Sequence, residues 1–208
     1  MPTRTTTDPD ADRPEKYASH RKVAGLNTPL NLVIRAARAR SEDIRRAMLW
    51  LANYARLQDT TTDALAEVLA LDRAAIRDCL LNPEAEGINA FVRQVKQLRT
   101  TFEREQRPLA PTRICKLVRK AARFAAEKRQ AVEIIGKWRS GKTVSAREAY
   151  LPLLDRAAWL HCPSDESEHS FIFSLAAALG LGTSTSYSPK QLRPKILSCF
   201  GPGGIDLL

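Results

Sequence analysis

The sequence predicts an α plus α/β fold: a helical, helix-turn-helix-like region in front and a partial parallel-sheet core behind. Three observations predict it. Apolar residues recur at three- and four-residue spacing through residues 41–129. Short β-branched runs alternate with helix starts after residue 130. A glycine-framed loop sits at the first of those strand-to-helix junctions.

Composition sets the outer bounds. With 208 residues, 44% hydrophobic and 27% charged, the chain suits one compact domain or two small ones, and wholesale disorder is excluded. No apolar run approaches the ~18–20 residues of a membrane helix. The polar, partly acidic start Met1–Asp12 lacks the layout of a secretory leader, so a cytoplasmic protein without a membrane partner is expected. Cys79, Cys115, Cys162 and Cys199 form no CxxC pair, and His20, His161 and His169 add no ligand spacing. Neither a structural zinc site nor a disulfide framework is expected. The formal charge of +10 is uneven: residues 1–130 carry 25 basic and 16 acidic side chains, residues 131–208 carry 8 and 7. A basic front half points to a polyanion partner, although a simply soluble basic protein has the same composition.

Along the chain, residues 1–29 read as a mobile tail rich in Thr, Asp and Pro. A short helix is expected over Asn31–Arg40, then a longer one capped by Ser41 with Glu42 and Asp43 at its positive end. Ile44, Met48, Leu51 and Ala55 give the longer helix one apolar face. Two short helices follow, Asp63–Ala70 capped by Thr62 and Arg73–Leu80 capped by Asp72, stopped by Asn82-Pro83. Asn89–Glu105 is amphipathic, with Phe91, Val92, Val95, Leu98 and Phe102 on one side. Arg107 to Pro111 is a proline-broken linker. Ile114–Arg129 is a basic helix with an apolar stripe of Ile114, Leu117, Val118, Ala121, Phe124 and Ala125. Beyond it, Val132–Ile135 and Ala157–Cys162 read as strands, and Ile205–Leu208 as the opening of a third. Helices are expected after Gly141, over Glu168–Leu179 and from Ser188-Pro189.

The strongest motif is Gly136-Lys137-Trp138-Arg139-Ser140-Gly141-Lys142-Thr143, a full match to GxxxxGK[ST] between a β-branched run and a helix start. Glycines let backbone N–H groups approach phosphate oxygens, and the positive end of the following helix adds to the attraction. Lys142 is placed to neutralise β- and γ-phosphates, and the Thr143 hydroxyl to ligate Mg²⁺. The expected ligands are ATP and Mg²⁺, with Gly136, Ser140, Gly141, Lys142, Thr143 and Val144 as contacts. The fold expectation thus becomes a helical front joined to a partial P-loop α/β nucleotide-binding core. Trp138 reads as a base-stacking ring or a contact to a neighbouring subunit, and equally as an exposed surface residue. Hydrolysis needs an acidic residue ending a later strand. Asp206 lies inside the last apolar run rather than after it, and Asp165, Glu166 and Glu168 read first as a polar loop and helix start.

Two basic surfaces are candidates for duplex DNA. Leu65–Leu80 has the spacing of a helix-turn-helix, with Ala66 at the crossing and Arg73 and Arg77 on the outer face. A structural helical hairpin has the same spacing, and Asp72 and Asp78 offset the charge. Between Arg113 and Arg129 lie seven basic residues and one acid, and Lys116, Arg119, Lys120 and Arg123 cluster on one face. That face reads as solvated or as phosphate-contacting.

A helix-turn-helix-like front, the loop Gly136–Thr143, a segment Ala158-Trp159-Leu160-His161-Cys162 with its Pro163-Ser164 exit, a helix over Phe171–Leu181 and the run Gly204–Leu208 together resemble AAA+ P-loop ATPases of the transposition-regulator type. That group contains the phage Mu transposition B protein and its TniB- and IstB-like relatives. The resemblance implies ATP-dependent self-assembly on double-stranded DNA in the service of a transposase. Homo-oligomers are implied for the intact family. Gly136, Gly141, Lys142 and Thr143 carry over as nucleotide contacts. The family's acidic pair, sensor residue and arginine finger have no counterpart in this sequence, so hydrolysis by the chain alone is expected to be weak or absent. The alternative expectation is a DNA-binding helix-turn-helix module with a vestigial ATPase stub.

Overall fold

The computed structural model describes residues 28–82, 84–106, 110, 112–128, 130–137, 139–160, 167–182, 187–201 and 204–205. Several sequence expectations lie outside those residues. They are the tail up to residue 27, Pro83, most of the 107–111 linker, Trp138, His161, Cys162, Pro163, Ser164, Asp165, Glu166 and residues 206–208.

Every regular element among the described residues is helical. The order is α1 (Leu30–Ala37), α2 (Glu42–Leu57), α3 (Thr62–Leu69), α4 (Arg73–Leu81), α5 (Ile88–Glu105), α6 (Arg113–Lys128), α7 (Lys142–Tyr150) with a 3₁₀ turn Leu151–Leu153, α8 (Glu168–Ala178) and α9 (Pro189–Leu197).

The helices start where local chemistry places them. Ser41 precedes α2, with Glu42 and Asp43 in its first turn at the positive end of the dipole. The cap of α3 falls one residue earlier than the sequence spacing predicts: the Thr61 hydroxyl oxygen accepts from the Ala64 N–H at 3.3 Å, and Thr62 is already helical. Asp72 caps α4 by accepting from the Ala74 N–H at 3.2 Å. Before α9, the Gln191 side-chain oxygen accepts from the Ser188 N–H at 2.8 Å, half of a reciprocal capping box.

The parallel sheet that the sequence predicts is absent among the described residues, which overturns the α/β half of the expected fold. Residues 131–137 form an irregular stretch, and no backbone hydrogen bond ties 131–135 to another described segment. A parallel strand is buried on both faces and completes its bonds on its neighbours. Here Val132 is 41%, Ile134 40% and Ile135 84% exposed. In the third run, Ile205 makes only an isolated parallel bridge to Phe200. The three runs nevertheless converge. Val132, Ile134, Ala157, Trp159 and Ile205 line one apolar cavity of about 620 Å³, closed from the other side by small residues of α6 such as Ala121. β-branching favours extended backbone locally, whereas a ladder needs a second edge, which the described elements do not supply.

Helices α1–α5 form a bundle: α1 packs on α2 and α4, and α5 on α2, α3 and α4. Its centre is Trp50, fully buried, stacked on Tyr54 at 4.9 Å with Phe102 edge-on at 6.1 Å. One apolar cluster runs from this bundle into α8 and α9 through Leu175, Leu179, Leu192 and Ile196. Polar ties reinforce the join. Asn53 donates to the carbonyls of Leu154 and Ala157 at 2.8 and 2.9 Å, and Arg99 meets the buried Asp155 at 3.2 Å. Arg38 donates to the carbonyl of Ser198 and, at 3.1 Å, to that of Phe200. Gly180 (φ 71°) lies so close to α1 that a Cβ there would sit 2.6 Å from the Leu30 nitrogen.

Helix α6 stands outside this core. It packs on α7, and its buried residues Cys115, Val118 and Ala125 are not in the main cluster. Its predicted stripe is only partly covered, since Leu117 is 55% and Phe124 45% exposed.

Candidate anion-binding site

Lys142 is the first residue of α7, and the loop before it curls back over its side chain. The ammonium donates to the carbonyl oxygens of Gly136 at 2.8 Å and Lys137 at 2.7 Å, and reaches the Ser140 hydroxyl at 3.3 Å. Two left-handed residues, Arg139 (φ 58°) and Gly141 (φ 86°), flank Ser140. Alternation in the sign of φ turns successive N–H groups toward one side, the geometry of an anion nest. Glycine fits position 141 because a side chain there would meet left-handed backbone strain.

The first helical bond of α7 runs from the Ser145 N–H to the Gly141 carbonyl at 2.9 Å. The N–H groups of Lys142, Thr143 and Val144 therefore precede any intrahelical acceptor and carry the positive end of the dipole. Thr143 and Val144 are exposed, so ligand atoms have access to this turn. Chemically, the loop offers a cluster of N–H donors, one ammonium and two hydroxyls to an oxyanion.

Magnesium fits here in one way only. Mg²⁺ keeps several waters and takes phosphate oxygens in preference to an all-protein cage. The exposed Thr143 hydroxyl can supply one hard oxygen to such an ion. Among the described residues no group of three His, Cys, Asp or Glu side chains forms a metal site.

The helix that follows the loop is held by α6. The Cys115 thiol and Ser145 hydroxyl meet at 3.2 Å inside the α6–α7 interface, and Arg119 pairs with Glu148 of α7 at 2.5 Å. That pairing takes Arg119 out of the predicted basic face. Lys116, Lys120 and Arg123 stay exposed, with no acidic partner among the described residues. In the front bundle Arg73 pairs with Asp63 at 2.6 Å, whereas Arg77 is exposed. The α3–α4 turn carries a left-handed Ala70 (φ 50°) where glycine is common. The structure thus packs α6 against α7, the helix that the loop opens, and leaves Arg73 and Arg77 on α4, which packs on α1, α3 and α5.

A second feature was not marked by the sequence. Between α2 and α7 lies a cleft of about 530 Å³, lined by Arg56, Leu57, Thr143, Arg147, Tyr150 and Trp159 among others, with no carboxylate on its wall. Tyr150 and Trp159 rings lie 5.6 Å apart. Burial pulls the Arg56 guanidinium below the ordinary arginine value, against the nearby Tyr150. The Tyr150 phenol is pushed up to about 12 by burial, with Arg56 acting the other way.

No family model, curated protein or solved structure matches the chain. The site therefore stands on its own geometry. Arg56 and Arg147 each sit in the last turn of a helix, where cations are common for dipole reasons. Their convergence on one cleft is tertiary and leaves no signal at sequence spacing. No helix among the described residues is long and apolar enough to cross a membrane.

Proposed function

We propose that the chain binds a nucleoside triphosphate with Mg²⁺ at residues 136–144, on a frame that is helical among the described residues. One observation carries this reading: the Lys142 ammonium is already drawn into the curl of the loop, on the carbonyls of Gly136 and Lys137. Phosphate oxygens can replace those neutral acceptors and form stronger, charge-assisted bonds. The free N–H groups of the first turn of α7 then complete the grip.

Double-stranded DNA is the proposed partner. The exposed Lys116, Lys120 and Arg123 on the same lobe support this, as does the outward Arg77 behind the left-handed turn at Ala70.

Titration calorimetry of Mg-ATP into the full chain tests the loop. Lys142→Ala is expected to weaken binding at least about tenfold, since it removes a charge-assisted contact, while circular dichroism stays unchanged. Undiminished affinity would overturn the assignment. Gel shifts with a DNA duplex at two salt concentrations test the partner. Binding is expected to fall steeply with salt and to weaken when Lys116, Lys120 and Arg123 are replaced by Gln. Binding indifferent to both changes removes DNA from the proposal.

A further inference from the structure

The cleft between α2 and α7 holds charge that the fold itself does not use. Arg56 is partly buried, and no carboxylate pairs with it or with Arg147 among the described residues. Taking a guanidinium out of water without an anionic partner costs several kcal/mol. An arginine in the last turn of α2 answers the helix dipole equally well from the surface, so the dipole does not explain its place in the cleft. The planar guanidinium fork matches the oxygens of a phosphate, and a second fork from the facing helix lets two sides be gripped. Hydroxyls of Thr143 and Tyr150 on the wall add donors, and Trp159 also lines the cleft. The volume of about 530 Å³ lies within the range of small-molecule pockets.

We infer that this cleft is a second oxyanion site, in which Arg56 and Arg147 grip a phosphate group between α2 and α7. Thr143, on the first turn of the loop helix, is part of its lining. The phosphate can therefore come from two sources: the terminal phosphate of a nucleotide seated in the loop, or a separate small phosphate ester. The first source rests on the loop reading; the second does not, since Arg56 and Arg147 lie outside the loop.

Calorimetric titration of the full chain with ATP, ADP and inorganic phosphate tests it. The variants are Arg56→Gln, Arg147→Gln and Lys142→Ala. If the terminal phosphate is the ligand, each arginine variant loses ATP affinity by about tenfold or more and keeps ADP affinity within about twofold. If the source is separate, inorganic phosphate binds the unsubstituted chain and Lys142→Ala alike and is lost from both arginine variants. Arg147 is exposed, so its variant reports even if Arg56→Gln perturbs folding. The inference is overturned if both arginine variants bind all three probes as the unsubstituted chain does, or if no probe distinguishes them. Failure of the loop reading looks different: Lys142→Ala then leaves ATP affinity intact whatever the arginine variants do.

Discussion

At the scale of single residues, the loop and the cleft show how placement changes chemistry. Lys142 is held by two carbonyls, and Arg119, which the sequence puts on a basic face, is neutralised by Glu148. Tyr150 gives a residue-level test of the packing around the cleft. Burial raises its phenol from about 10 to about 12, so the folded state favours the neutral form. A folded value above the unfolded one contributes stability that is fully present below pH 10 and is lost as pH rises toward 12. By pH 11 the loss from this group is on the order of 1 kcal/mol. Urea unfolding at pH 8 and pH 11 checks this: the unsubstituted chain is expected to lose that much more than Tyr150→Phe. Equal losses would mean that Tyr150 is not buried as described.

At the scale of elements, the helices were legible, and the strands that the sequence predicted do not form among the described residues. Apolar spacing through Met48, Leu51 and Ala55, the cap at Asp72 and the Ser188-Pro189 start are local signals, and each marks an observed helix; Ser41 stands at the start of α2 without a side-chain capping bond. Local signals also explain the one-residue error at Thr61, because two adjacent threonines offer the same hydroxyl. Val132–Ile135 carried the composition of a strand, but pairing depends on an edge elsewhere in the chain, which composition cannot reveal. Its side chains still meet those of Ala157 and Ile205 around one cavity. The junction of α8 and α1 is a second tertiary feature. Gly180 is left-handed, and a Cβ there would come within 3.2 Å of the Pro29 Cα and closer still to the Leu30 nitrogen. Gly180→Ala is expected to cost about 2 kcal/mol or more, lowering Tm by roughly 4–8 °C. An unchanged melting curve would show that α8 does not close on α1.

At the scale of the whole molecule, one apolar core joins α1–α5 to α8 and α9, and the α6–α7 lobe with its loop lies beside it. The loop motif was legible because it is eight consecutive residues with a helix start behind them. The resemblance to P-loop ATPases drew on a sheet that the described residues lack, so what remains of it is the glycine-framed turn before α7, which we propose as an anion site. The cleft facing that turn was illegible, because α2 and α7 are about ninety residues apart in sequence and meet only through the fold. The two basic surfaces expected from the sequence lie on α4 and α6, and Arg119 of the second is paired with Glu148. Amide hydrogen exchange on the full chain, with and without Mg-ATP, tests the central claim most directly. The predicted result is slowed exchange at residues 136–144, strongest for the N–H groups of Lys142, Thr143 and Val144. Exchange in that segment unchanged by saturating Mg-ATP, or slowed only elsewhere in the chain, would contradict it.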